Sequence, residues 1–338
     1  MEGKRDRSVD AVRGFAILLV MLGHCIVLNH MEDGYLYDAI KAVQMPLFMA
    51  VSGFVLGRRD LFITAQELGR QTVKRAVSCL VPFVSWIFVT NVTDFPAKLI
   101  RVLYQPDTGL WFLLTLFLLS VMVYLALFVK DGLHGGWIGF DLVILAEAVL
   151  LALYYLSGNT FLGPALAINY FPFFVGGFFA GKLCGMQGTR EDGKYRKRLP
   201  GWIEAVCGVL FVFLVIKYDM VYAGNRLEWL IQLAASALGS FVCFCLIYHL
   251  REGRIKKSLS FVGTYTLEIY VLHFRFARIL GMQDAGLSLY SMKGVCVVVV
   301  TFVLMSVLTA FFILVFKQLA VTDLLLFGKV RKKKGMVF

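Results

Sequence analysis

Apolar runs of close to twenty positions recur along the whole chain, separated by short polar segments. A helix of about 20 apolar residues crosses the hydrocarbon core of a bilayer. The pattern predicts ten membrane-spanning helices, near 11–29, 40–57, 76–92, 110–129, 138–156, 170–186, 201–216, 229–248, 261–280 and 294–316. Asn91 and Asp94 blur the end of the third, and Gly176, Gly177 and Gly181 interrupt the sixth. Alternation of strand length is absent, which argues against a transmembrane barrel. The predicted fold class is therefore all-α, a polytopic integral membrane protein forming a single membrane domain over 1–338.

Composition sharpens this picture. Charged residues are 17% of the chain, below the roughly 25% of soluble domains, and hydrophobic residues reach 59%. A net charge of +12 would suit a nucleic-acid partner, but the basic residues sit in short clusters between apolar runs and form no aromatic-interleaved face. Their distribution sets an orientation instead. With the N-terminus inside, 25 Lys and Arg fall in inner segments and eight in outer ones. That bias predicts a plasma (inner) membrane protein with both termini cytoplasmic. Lys329, Arg331, Lys332, Lys333 and Lys334 fit anionic lipid head groups. The first apolar run holds Arg13 and His24, so it is expected to stay as a span and not to be cleaved as a signal. The seven cysteines show no ligand or disulfide spacing, and no metal site is expected. The hydrophilic stretch 187–200 is too short to fold alone, and no internal repeat of the transporter kind is present.

Against this background the ionisable residues inside spans stand out, because each is costly in lipid. Arg13 and His24 are eleven positions apart in the first span, which places them on one helix face about 16 Å apart. Asp10, three positions before Arg13, shares that face. Asp10 and Arg13 fit either an anchor at the inner interface or a cavity pair. His24, deep in the span, suits a general base or an interhelical hydrogen bond. Gly14 and Gly23 allow neighbouring helices to approach closely. In the second span, Pro46 frees a carbonyl and bends the helix, Gln44 and Ser52 add polar groups, and Arg58 and Arg59 close the cytoplasmic end. Trp111 reads as an interfacial anchor. In the ninth span Glu268 and Arg275, seven apart, face each other, while Glu268 and His273, five apart, do not.

Taken in order, these patches resemble the membrane acyltransferase-3 family, most closely its branch related to fucose 4-O-acetylases. The opening motif is carried by Arg5, Asp10, Arg13, Gly14 and Gly23-His24. Gln44-Met45-Pro46-Leu47-Phe48 with Ser52-Gly53-Phe54, Trp111-Phe112-Leu113, and Phe173-Phe174 with Gly177, Gly181 and Lys182 are similar to the family's middle motifs. Gly263, Thr266-Leu267, Ile269-Tyr270 and His273 match its late motif. The resemblance implies transfer of an acetyl group from acetyl-CoA to a hydroxyl of a cell-envelope glycan or lipid-linked sugar. It implies His24 and Arg13 as the essential pair, with Asp10 as partner of Arg13. Arg58, Arg59, Arg70, Lys74 and Arg75 would meet the CoA phosphates, and Gln44, Ser52, Trp111, Glu268, Tyr270 and His273 are further cavity candidates. Two positions depart from the family: Gln44 stands where a histidine is frequent, and Ser78 where a second arginine is. A polytopic transporter and a catalytically degenerate membrane sensor of the same fold are the alternative readings.

Overall fold

The computed structural model of the protein describes residues 6–59, 61–186, 200–282 and 286–330. Arg5, most of the inner segment 182–198, and the basic tail Arg331 to Lys334 lie outside the described residues. Those described form thirteen α-helices and no strand. Eight of the helices are long and apolar enough to cross a membrane: α1 (Arg7–Val27), α2 (Tyr35–Gly57), α3 (Ala65–Thr90), α5 (Trp111–Asp131), α6 (Gly136–Leu156), α7 (Pro164–Met186), α9 (Arg226–Tyr248) and α12 (Met292–Phe316). Between them lie α4 (Phe95–Tyr104), α8 (Gly201–Lys217), α10 (Arg254–Gly263), α11 (Thr266–Leu272) and α13 (Ala320–Phe327). The chain is an all-α polytopic membrane protein.

Two of the ten predicted spans look different in the structure. The seventh is α8, only 17 residues long. The ninth, expected as one helix over 261–280, is broken: α10 ends at Gly263, α11 covers Thr266–Leu272, and a 3-10 turn follows at His273–Phe276. The helical register therefore changes at His273, between Glu268 and Arg275. The sixth prediction also needs correcting. α7 runs unbroken through Gly176, Gly177 and Gly181. Pro46 likewise sits inside an uninterrupted α2.

The residues pack as two compact units whose boundaries fall inside α7 and α12. The first comprises the described residues of Met1–Arg58 and Gly176–Phe312. Here α1 starts at Asp6, whose Oδ1 accepts from the backbone N–H of Ser8 (2.8 Å) and of Val9 (3.4 Å) and so satisfies two orphan donors of the first turn. α1 crosses α10 backbone to backbone. A Cβ on Gly14 would strike the Leu259 carbonyl, and one on Gly263 would strike the Asp10 carbonyl, so each helix uses a glycine where it meets the other. Gly177 and Gly181 of α7 do the same against Ala50 and Phe54 of α2. The C-terminal half of α1 (Met21, Cys25, Ile26) is buried with Tyr37, Ile40, Ala277, Val298 and Met305 in one apolar core.

The second unit comprises the described residues of Arg59–Val175 and Ile313–Phe338. α3 is capped by Thr64, whose Oγ1 accepts from the N–H of Glu67. It packs between α5 and α13, and Trp86 Nε1 donates to the Leu326 carbonyl (2.9 Å) to hold α13 in place. α6 buries little beyond Phe140 and Ile144 and presents the rest of its apolar surface outward, as a lipid-facing helix does.

Candidate functional site

Because α1 is continuous from Arg7 to Val27, Asp10, Arg13 and His24 keep the spacing of a regular helix. Asp10 is 4% exposed and lies at the glycine crossing with α10. Arg13, half-buried, is one position from Gly14 in the same crossing.

Three turns further on, His24 meets the segment that the broken ninth span supplies. Its ring centroid is 5.2 Å from that of His273, the planes tilted by 39°, and the Phe274 ring meets it edge-on at 5.1 Å. Both partners come from the 3-10 turn after α11. His273 is 1% exposed, and its Nδ1 is 2.8 Å from the Ile269 carbonyl. A carbonyl can only accept, so Nδ1 carries the hydrogen and Nε2 of the neutral ring is bare. Among the described residues, neither that Nε2 nor Nδ1 of His24 has a hydrogen-bond partner, although both atoms are buried.

A further buried polar group, on α2, lies against Gly23. Gln44 is buried, its Oε1 has no partner among the described residues, and its amide presses so closely on Gly23 that a Cβ there would strike it. Gly23 thus lets the amide lie against α1 one position before His24. An unsatisfied buried polar group costs about 1–3 kcal/mol, so the unpartnered nitrogens of these neighbouring imidazoles are suited to meet a ligand's polar atoms. Two imidazoles and an amide can accept or donate a proton and hold a polarised carbonyl or hydroxyl.

The remaining sequence candidates divide. Tyr270, in α11, places its ring 6.1 Å from His273, and Glu268 of the same helix is fully buried. Ser52 donates to the Phe48 carbonyl of its own helix (2.8 Å). Trp111, in the second unit, stacks on Tyr170 at 5.1 Å.

The basic residues are not equivalent. Arg58, in the first unit, is hydrogen-bonded to Asp6 Oδ2. Burial works against its charge, but the hydrogen bond and charge of Asp6 outweigh it and hold the guanidinium pKa above its ordinary value. In the second unit Arg59 and Lys74 are exposed. Arg70 is 73% exposed and doubly hydrogen-bonded to Glu67 (2.7 and 2.8 Å). Arg75 is half-buried; its Nε donates to Ser120 Oγ (2.9 Å), which in turn donates to the Leu116 carbonyl (2.6 Å). Among the described residues, no group of three or more His, Cys, Asp or Glu stands together as metal ligands would.

Sequence reasoning missed the contact between His24 and His273, since nothing local links positions so far apart. It also missed Asp6, although an aspartate just before an apolar helix is a usual cap signal.

The family profile described as an acyltransferase domain matches residues 6–315. The nodulation protein NolL of Sinorhizobium fredii is 29% identical over 192 residues, covering 52% of this chain and 48% of the relative. NolL of Mesorhizobium japonicum is 24% identical over an alignment covering 90% of this chain and 87% of the relative. The first match thus spans about half of that relative's length. No solved structure matches. With motifs from the first span to the ninth and a profile match over nearly its whole length, the chain belongs to the acyltransferase-3 family.

Proposed function

We propose that the protein is a membrane O-acyltransferase of the fucose 4-O-acetylase-like branch. It moves an acetyl group from acetyl-CoA to a hydroxyl of a cell-envelope glycan or lipid-linked sugar at the plasma membrane. The observation that supports this reading is the pairing of half-buried His24 with buried His273, each with one buried ring nitrogen that has no partner among the described residues. His24 takes the proton of the acceptor hydroxyl as its oxygen attacks the thioester carbonyl. The C–O bond forms, the C–S bond breaks, and the departing thiolate receives the proton. Imidazole can instead carry the acetyl group between two half-reactions. Arg13 and Asp10 organise the part of the cavity nearer the N-terminus of α1.

For the donor, we assign Arg75 among the basic residues. Its one side-chain hydrogen bond among the described residues uses Nε, so its terminal nitrogens are available for a forked contact to phosphate.

The test uses the full chain in proteoliposomes with radiolabelled acetyl-CoA and envelope lipid extract, following CoA release and label transfer. His24→Ala should lower turnover by about 10²–10⁴ while the protein stays folded. Rapid acid-free quenching separates the two routes, since only the covalent one leaves label on the protein. Near-normal turnover in His24→Ala would sink the assignment, and no turnover in the wild type would leave the transporter and sensor readings.

A further inference from the structure

Each half of the histidine pair poses a question that the other answers. In the neutral His273 ring Nδ1 is the donor, committed to the Ile269 carbonyl, and Nε2 is a bare acceptor, buried without a partner among the described residues. Nδ1 of His24 is also buried and also without one. Two bare nitrogens on neighbouring rings could not bond each other. One hydrogen, placed on Nδ1 of His24, satisfies both. The rings are 5.2 Å apart between centroids and tilted by 39°, and the edge of Phe274 lies against His24 at 90°. Rings at this separation are near neighbours, and catalytic hydrogen bonds are often long in the unliganded state and tighten only when substrate is bound.

We propose that His273 is a positioning residue for His24: its Nε2 accepts from Nδ1–H of His24 and fixes that imidazole in the tautomer whose bare nitrogen is Nε2. The Ile269 carbonyl, His273 and His24 then form one line of donors and acceptors ending at the lone pair that meets the acceptor hydroxyl. A second imidazole takes the place that a carboxylate holds in other base-and-orienter pairs. The line depends on the break in the ninth segment, because the 3-10 turn that starts at His273 also carries the Phe274 ring onto His24.

Two measurements test it. The first does not depend on activity. Full-length protein with 15N-labelled histidines, five in all, is placed in lipid nanodiscs at alkaline pH, and the His24 signals are assigned with His24→Gln. The expected spectrum shows His24 protonated at Nδ1, and this preference is lost in His273→Asn. An Nε2-protonated His24 in the wild type, or an unchanged tautomer in His273→Asn, overturns the proposal.

The second rests on the acyl-transfer reading. Asn at 273 keeps a donor for the Ile269 carbonyl and offers nothing near Nε2; Gln offers an acceptor near Nε2. His273→Asn should lower kcat by about 100-fold or more. His273→Gln should keep at least ten times the turnover of His273→Asn, with the acetyl-CoA KM alike in both. The opposite order would mean that His273 only ties down the backbone, and the positioning role would be wrong. If no variant, nor the wild type, releases CoA, the transferase reading fails, while the tautomer still decides this inference.

Discussion

Asp6 joins Arg58 across the ends of two helices: one carboxylate oxygen caps the first turn of α1 and the other holds the guanidinium at the end of α2. Arg58 is therefore committed to structure. Asp6→Ala, which loses cap and pair together, should destabilise the protein by about 1–2 kcal/mol. Asp6→Asn keeps a capping oxygen and should lose less than half of that. Thermal unfolding in detergent measures both. In the same series Arg58→Lys should leave the acetyl-CoA KM unchanged, and a tenfold rise would place Arg58 at the donor after all.

Arg75 should behave in the opposite way. Arg75→Lys keeps the charge but loses the forked geometry, so the acetyl-CoA KM should rise by an order of magnitude, with insertion unaffected. Arg70→Lys should have a normal KM, since Arg70 is exposed and its guanidinium is doubly bonded to Glu67. Equal KM values in all four single Arg→Lys variants, at Arg58, Arg59, Arg70 and Arg75, would mean that the cluster only orients the protein in the membrane.

The glycine crossing of α1 and α10 makes a prediction about packing. Gly14→Ala pushes a methyl group into the Leu259 carbonyl, and overpacking of this kind typically costs about 1–3 kcal/mol. Gly176→Ala serves as the control, because a Cβ at Gly176 meets nothing within 4 Å. The Tm of Gly14→Ala should fall clearly below that of Gly176→Ala. Equal values would show that the crossing tolerates separation.

The charge bias predicts cytoplasmic termini. Reporters fused at Phe338 and after Gly158, between α6 and α7, should lie on opposite sides of the membrane. Reporters on the same side would mean that the segments of α8 and α10–α11 do not each cross once.

What the sequence revealed follows from the kind of signal each feature leaves. Apolar runs are local, so the long helices were legible, and so were the ionisable residues that interrupt them. Gly177 and Gly181 misled because glycine lowers helix propensity in isolation, whereas here α7 uses both to reach α2. The break in the ninth segment left little trace, since Thr264 and Tyr265 are unremarkable beside apolar neighbours. His24 and His273 were each singled out, but their contact joins the first span to the ninth.

That first-to-ninth contact has a consequence for biogenesis. The chain is made from its N-terminus, and at about 5–20 residues per second His273 emerges roughly 10–50 s after His24, some 250 residues later. During that interval α1 has entered the membrane with an arginine and an imidazole but without α10, which later covers its glycine face. Gln44, arriving with α2, packs its amide against Gly23 well before the ninth segment is made. The nascent protein thus carries an incomplete polar seam through most of its synthesis, and insertion machinery must shelter that seam until the last third of the chain arrives to close it.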